Sequence, residues 1–395
     1  MLLSGFFFKD VATRVRLKKK TKTYLWAILT LIMVIVALFF GLLHRGWPVA
    51  NDVQWLSDSR AIRFGNSGIA YVDDLRAFRL SRQSGPLTIE MAVTQANNYK
   101  SGFSTLLVIH DGADRRQLAV GQYNTSVIVM NGDDYNNRQR RPRVIGREVF
   151  SPQQTRYLTI TSSEGGTHLY VDGILADSRK KWKLSIPIEG APLRLVLGNS
   201  VHGNHGWRGD IHGLAISGEA VSAEAARLRY ERWAADRRFD ALKLDSTSLL
   251  FTFDQKNAAQ FADRPGNDNH LKIPQHTVVL QKTILASAWQ PVRWNRVTVG
   301  DIVVNVVGFM PLGIVFYGFL QCFSGPLTRH SHLLAVVFCL LLSLGIEIAQ
   351  AWIPTRYSTL PDLILNTFGA WLGIVGWKLV RGRRGFKDAR GQRVK

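Results

Sequence analysis

The chain has 395 residues, is 46% hydrophobic and 20% charged, and carries a formal net charge of +21. This length fits two or three structural units, and the composition excludes a disordered chain, a collagen-like repeat and a small disulfide-rich secreted scaffold. The charge points first to nucleic acid, but residues 1–23 and 381–395 each hold +6 (seven basic, one acidic), so 12 of the 21 charges lie in two short flanks.

The first flank runs through Lys9, Arg14, Arg16, Lys18, Lys19, Lys20 and Lys22 into residues 24–43, which contain no charge. That run is long enough to cross a bilayer as a helix. It exceeds the apolar core of a secretory signal, about 7–15 residues. No small-x-small cleavage site follows, so the segment reads as an uncleaved anchor. Three further apolar runs, 302–321, 332–352 and 361–380, are separated by links containing Gly325-Pro326 and Pro354. A basic tail closes the chain. The positive-inside rule places both basic flanks in the cytoplasm, and four spans give the parity this needs. Residues 44–300 are then extracytoplasmic in a multi-pass protein of the cell (inner) membrane. Trp47, Trp289, Trp294 and Trp352 fall near the outer span ends, as interfacial aromatics do. The predicted divisions are 1–23 basic N-terminus, 24–43 anchor, 50–255 outer module, 256–300 connector, 301–380 membrane domain and 381–395 basic tail.

Between the anchor and the other spans, short stretches such as Leu87–Val93, Thr105–Ile109, Ser126–Met130, Arg156–Ile160 and Leu193–Leu197 are parted by Asn131-Gly132-Asp133, Glu164-Gly165-Gly166 and Asp172-Gly173. Short strands with Gly/Asn/Asp turns predict an antiparallel β-sandwich. The two cysteines, Cys322 and Cys339, lie near the cytoplasmic end of one C-terminal run and inside another, so this module must be stable without disulfides. The clearest local signal is His168–Leu175, two strands around Asp172-Gly173, a tight hairpin. Leu197-Gly198-Asn199 and Trp207–Ser217 follow, and Ser222 is placed to cap a helix over Ala223–Trp233. This ordered set resembles the laminin-G-like, concanavalin A-like jelly roll over roughly residues 50–240. A second fragment, Leu249–Asp254 through Asn269–Pro274, resembles another opening strand pair of such modules, either completing the sandwich or leading into the membrane.

The resemblance implies carbohydrate or protein binding through exposed aromatics, with Tyr99, Tyr123, Tyr135 and Trp207 as candidates; the competing reading puts them in the core. His202, His205 and His212 lack a zinc-type spacing and read as solvated loop residues. Asp133 and Asp134 fit calcium ligands or an exposed turn equally well. The basic runs Arg138–Arg147 and Arg179–Lys183 fit either anionic headgroups or solvated loops. No metal or cofactor is expected.

The chemically distinctive residues are polar groups inside the apolar runs. Asp301 and Asn305 open the second span, Glu347 and Gln350 close the third, Asp362 and Asn366 open the fourth, and Arg356 and Ser358 lie in the link. Spacings of three and four keep each pair on one helix face. At a rise of 1.5 Å per residue, Asn305 and Asn366 lie about 6 Å, and Glu347 about 7.5 Å, below the outer span ends. Three helices thus bring polar groups to one level. An isolated carboxylate there costs up to roughly 2.5–3.5 kcal/mol towards the bilayer centre, and Arg356 is the expected partner for Glu347 or Asp362. The cluster reads as a functional site, or as a clasp that packs three helices with Gly308, Gly313, Gly369 and Gly373 at their crossings.

The pattern Asp301-x3-Asn305-x3-Phe309-x-Pro311-Leu312-Gly313, Glu347-x2-Gln350 and Arg356-x-Ser358-x3-Asp362-x3-Asn366-x2-Gly369 resembles the VanZ-like membrane family over roughly residues 295–380. That family takes its name from a protein linked to teicoplanin resistance. Joined to a laminin-G-like module, it implies an envelope protein of surface polysaccharide, cell-wall processes or glycopeptide resistance. The expected partners are the bilayer and an envelope glycan or lipid-linked saccharide, not nucleic acid. The alternative is a membrane enzyme acting on lipid-linked saccharide, with Glu347 or Asp362 as acid/base and Arg356 on the phosphate.

Overall fold

The computed structural model describes residues 4–42, 48–75, 85–97, 102–187, 192–239, 249–254, 260–263, 269–286, 296–354, 356 and 358–391. Trp47, Tyr99, Trp289 and Trp294 lie outside these residues. The chain forms two units, one of residues 46–281 and one of residues 1–45 with 282–395.

The first unit is an antiparallel sandwich of two eight-stranded sheets. One sheet runs β1 (Val53–Leu56), β2 (Ala61–Phe64), β13 (Gly209–Ser217), β4 (Leu87–Gln95), β9 (Thr155–Ser163), β10 (Gly166–Val171) and β11 (Ile174–Lys180), with β14 (Leu249–Thr252) also on β13. The other runs β15 (Gln260–Ala262), β16 (His270–Lys272), β3 (Ala70–Val72), β12 (Arg194–Leu197), β5 (Phe103–His110), β6 (Leu118–Tyr123), β7 (Ser126–Asn131) and β8 (Arg143–Gly146). The second fragment therefore completes the sandwich, and two pieces of the expected connector, Gln260–Ala262 and His270–Lys272, are strands. Its registry explains why: Lys272 pairs with Tyr71 of β3, and Leu249–Thr252 line up with Ile216–Gly213 of β13. A register shift in β13 between Ile211 and Gly213 lets its far side pair first with β2 and then with β14.

The Asp172-Gly173 turn joins β10 to β11 with φ of 52° and 75°. Two successive positive values are what a type I′ hairpin needs. Between the sheets lies a core of Ile62, Phe64, Met91, Val93, Leu107, Val120, Leu195, Trp207, Ile211 and Phe251, all at most 1% exposed. Both outer faces are also covered. Ile69, Val108, Ala119, Ile128, Met130 and Val196 pack under Tyr135, Val278 and Leu280. Ala92, Tyr157, Ala215 and Leu250 pack with Trp233 and Phe239. Trp233 comes from α2 (Ala223–Asp236), whose N-cap Ser222 accepts the Ala225 N–H, a standard cap. Arg229 of α2 reaches Glu90 at 2.8 Å and also bonds Glu219, while Tyr157 Oη donates to Glu90 at 2.9 Å. Burial raises the Glu90 pKa, and the Arg229 charge opposes that shift.

Among the described residues, the second unit contains four helices long and apolar enough to cross a membrane: α1 (Ser4–Leu42), α3 (Arg296–Leu320), α4 (Ser331–Gln350) and α5 (Leu360–Gly391). Ile28, Leu31, Val303, Val304, Leu341, Ile364 and Trp371 are among the large apolar side chains exposed on them. That exposure suits lipid rather than water. Small residues set the α3–α5 crossing. A side chain at Gly369 would overlap the Val306 carbonyl, one at Gly373 the Met310 carbonyl, and one at Gly313 the Ala370 backbone. Close backbone approach at small residues is how helices pack in lipid. Gly308, expected in the same role, faces open space. The first helix joins the bundle: the Trp26 ring lies against Gly318 and edge-on to Trp377.

Two outcomes test this packing. Gly373→Leu, in the full-length protein, abolishes accumulation in membranes, whereas Gly308→Leu leaves yield and monodispersity unchanged. Trp207→Ala lowers the unfolding free energy of the sandwich unit by about 3–5 kcal/mol, read by chemical denaturation followed through near-UV dichroism.

Candidate functional site

The polar groups of the bundle meet at the N-terminus of α5. Thr359, immediately before its first residue, places its hydroxyl within 2.8 Å of Asp362 Oδ2 and accepts the Asp362 N–H at 3.2 Å. The Thr359 backbone N–H donates to Glu347 Oε2 at 2.8 Å. From the third helix, Asn305 Nδ2 donates to Asp362 Oδ1 at 2.6 Å. A continuous chain, Asn305–Asp362–Thr359–Glu347, thus joins α3, α5 and α4. Glu347 is only 2% exposed, and Asp362 and Asn305 are half-buried.

What offsets two carboxylates in an apolar bundle is the start of a helix. Its unpaired N–H groups and aligned peptide dipoles put a partial positive charge there. Arg356, the expected partner, acts on Glu347 through its charge and not through a contact. It is exposed, its backbone N–H bonds the Ile353 carbonyl, and among the described residues no ion pair joins it to Glu347 or Asp362. One turn below, Asn366 Nδ2 donates to Ser343 Oγ at 3.0 Å, and Asn366 Oδ1 is buried with no partner among the described residues.

Two other expected members, Gln350 and Asp301, lie apart from this hydrogen-bonded chain, whereas Ser358 adds a side-chain bond to Glu347. Gln350 Nε2 donates to the Gly41 carbonyl at 2.8 Å, satisfying one of the orphan carbonyls at the end of α1. Ser358 Oγ accepts the Leu285 N–H at 3.0 Å, and the Ser358 carbonyl accepts the Ala286 N–H at 2.8 Å. Asp301 is exposed near the start of α3. Thr359, by contrast, was not singled out from sequence. Its signal was present as Thr359-x-x-Asp362, the capping-box pattern with Asp in place of Glu.

In the sandwich, Trp207 is 0% exposed, and its indole N–H donates to Gln122 Oε1 at 2.7 Å, so it is core and offers no ring to a ligand. Gly209, two residues on, has φ of 156° and its missing Cβ leaves room for that ring. Tyr135 is half-buried, stacked on Phe103 at 4.6 Å and tilted over His205 at 4.7 Å. Tyr123 is 45% exposed at the end of β6. The histidines are not solvated. His212 lies 2.8 Å from Thr94 Oγ1, His205 is held neutral by burial with its pKa lowered to about 4, and His202 pairs with Asp114. Nor is Asp134 an exposed turn residue. It is 1% exposed and takes Arg143 Nη2 at 2.8 Å and the N–H groups of Gln139 and Arg141 at 3.1 Å. Burial acts to raise its pKa, but these donors hold the carboxyl below the usual range.

Residues 246–381 match the VanZ/LLP1 family model, and residues 65–226 match the model of the concanavalin A-like lectin/glucanase superfamily. The chain joins a laminin-G-like module to a VanZ-like membrane domain. The VanZ match begins before β14 and so takes in the last strands of the sandwich. No curated protein sequence matches the chain. Similar solved structures include a candidate carbohydrate-binding protein from Bacteroides ovatus, at 13% identity and TM-score 0.39, covering 53% of this chain and 57% of that one. The receptor binding domain of a botulinum neurotoxin C/D mosaic serotype is 17% identical with TM-score 0.35, over 47% of this chain and 45% of that one. A Ruminococcus gnavus sialidase carbohydrate-binding module, solved with a sialyllactose, is 11% identical with TM-score 0.33, over 46% of this chain and 98% of that one. The chain thus spans 57% and 45% of the first two.

The VanZ-like cluster makes a specific demand on Thr359. Thr359→Val keeps the shape but removes the hydroxyl that both carries a proton to Asp362 and caps the helix. It lowers stability by about 1–3 kcal/mol, read as a drop in the thermal transition of detergent-solubilised protein, while Thr359→Ser restores the transition.

Proposed function

We propose that this is an envelope protein of the inner membrane, serving surface-polysaccharide or cell-wall processes, including glycopeptide resistance of the teicoplanin type. In this reading both termini are cytoplasmic and residues 44–300 are extracytoplasmic. The laminin-G-like module engages an envelope glycan, and the VanZ-like bundle holds the polar headgroup of a lipid or lipid-linked saccharide at the outer leaflet. The observation that carries the bundle's role is the hydrogen-bonded chain from Asn305 through Asp362 and Thr359 to the buried Glu347. Ionisable groups inside a membrane bundle mark binding or transfer sites by default, because their desolvation is retained only where it serves something. The match to a lectin superfamily supports the glycan partner, and the moderately basic remainder of the module suits an anionic envelope surface.

A second reading makes the same site an enzyme on lipid-linked saccharide. Arg356 favours it: an exposed guanidinium in the link, without an ion-pair partner among the described residues, suits a phosphate. Glu347 or Asp362 would then be the acid or base.

Purified full-length protein in nanodiscs separates these readings. Binding is measured on an array of envelope glycans and by mass spectrometry of co-purified lipid; turnover is measured on a lipid-linked oligosaccharide. The expected result is glycan binding and a co-purified lipid that Asp362→Asn and Glu347→Gln lose, with no turnover. A blank array removes the lectin role. Turnover that falls by about two to four orders of magnitude in Glu347→Gln or Asp362→Asn, with folding intact, establishes the enzyme instead.

A further inference from the structure

The outer unit contains a titratable arrangement that neither glycan binding nor the membrane cluster uses. His202 Nδ1 lies 2.7 Å from the Gln281 carbonyl, and His202 Nε2 lies 3.0 and 3.1 Å from the two oxygens of Asp114. A carbonyl only accepts, and so does an ionised carboxylate. A neutral imidazole has one N–H, whereas the cation has two. Both contacts are therefore satisfied together only when the ring carries both protons.

The neighbouring histidine does not supply the second proton. His110 Nδ1 accepts the Gly112 N–H at 2.9 Å, so His110 Nε2 bears that ring's proton and donates it to Asp114 Oδ1 at 3.0 Å. Between Asp114 and His202, ordinary pKa values of about 3.9 and 6.5 leave the shared proton on the imidazole. The fold sharpens this difference. Burial acts to lower the His202 pKa, but its bonds and charge pairing with Asp114 raise it overall. Burial acts to raise the Asp114 pKa, yet the two histidines hold that carboxyl far below its usual range.

We propose that His202, Asp114 and the Gln281 carbonyl form a pH-sensitive latch, closed while His202 is an imidazolium and loosened when it becomes neutral. What it fastens is the strap at the end of the outer unit. Gln281 is the last residue of that unit, and the chain passes from it to the three C-terminal membrane helices. Within the strap, Leu280 and Gln281 donate their N–H groups to the Val201 carbonyl at 2.8 and 3.0 Å, and Val278 and Leu280 cover the apolar outer face of the second sheet. The latch thus controls how firmly the membrane-bound end of the strap is held to the module.

The charged and titratable groups that face the ring come from each element around it. Asp114 and His110 lie on β5 and the loop after it. His205 lies on the same loop as His202 and is neutral above about pH 4. Arg194 on β12 donates to the Leu280 carbonyl at 3.3 Å. Because the folded-state pKa is raised, the latch contributes its full stability below about pH 6.5 and loses it as pH rises through the raised value.

Hydrogen exchange on full-length protein in nanodiscs, corrected for intrinsic exchange at each pH, reads the latch directly. Protection of residues 278–281 is expected to be high in mild acid and to fall severalfold on the alkaline side of His202 titration, while β4 and β9 stay protected throughout. His202→Gln removes the step and leaves the strap at its alkaline level at every pH. Asp114→Asn keeps the shape but withdraws the charge, and moves the step to lower pH. His168→Gln, remote from the latch, leaves the step in place. Protection independent of pH in the wild type, a step that survives His202→Gln, or one that Asp114→Asn does not move each overturns the proposal.

Discussion

The membrane domain depends on one constraint: a buried carboxylate, Glu347, and a half-buried one, Asp362, lie among apolar helices, and both are bonded at a helix N-terminus. Glu347 and Asp362 both bond to Thr359, one through its backbone N–H and the other through its hydroxyl. A threonine at that position cannot satisfy both unless α4 and α5 are held in one register. Asn305 adds α3 to the same register from the other side of Asp362. The glycines serve the same end. Gly313, Gly369 and Gly373 let the α3 and α5 backbones approach closely, which brings the short Asn305 side chain within reach of Asp362. Polar groups and small residues are thus two halves of one device: the first specifies the register, and the second makes the approach possible.

How far this was legible in the sequence follows from what spacing can and cannot say. The apolar runs and the polar positions within them could be read because length and charge state are local properties. Residues at i and i+4 share a helix face, so pairing Asp362 with Asn366, or Glu347 with Gln350, was sound as geometry along each helix. Which neighbour each face meets is a tertiary fact. Gln350 shares its helix with Glu347 but turns to the end of α1, because the Gly41 carbonyl there needs a donor. Arg356 was chosen for its charge, yet a guanidinium in a short link can stay exposed once a helix start already offsets the carboxylates. Thr359 escaped notice because it is neutral, although as a cap it is the residue on which both acids converge.

The sandwich shows the converse. Its strands and its Asp-Gly hairpin were legible, since turn chemistry is local, but the partition of its aromatics was not. The stretch Val127–Met130 is buried on both sides, because the loop carrying Tyr135 and the strap carrying Val278 and Leu280 cover a face that an isolated sandwich would leave wet. The same covering turns residues that look like surface features into internal ones. His205 ends beside Tyr135 and Phe103, and Asp134 gathers the backbone of its own loop. Trp207 looked like a ligand platform only because aromatic residues are common in both roles; its bond to Gln122 fixes it in the core.

The strap also joins the two ends of the module. Asn51 Nδ2 donates to the Ile69 and Pro274 carbonyls at 2.9 and 2.7 Å, and Thr277 donates its N–H to the Val49 carbonyl and its hydroxyl to the Ser67 carbonyl. The segment that enters the sandwich and the segment that leaves it are therefore hydrogen-bonded to one another. Tension on either segment loads the same few bonds before it reaches the sheets. Loosening the strap at Gln281 removes a separate bond of the same strap, the one to His202, while leaving the 35-residue core cluster between the sheets untouched. A change in protonation at a single imidazole can therefore alter how the module is tethered without altering what the module is.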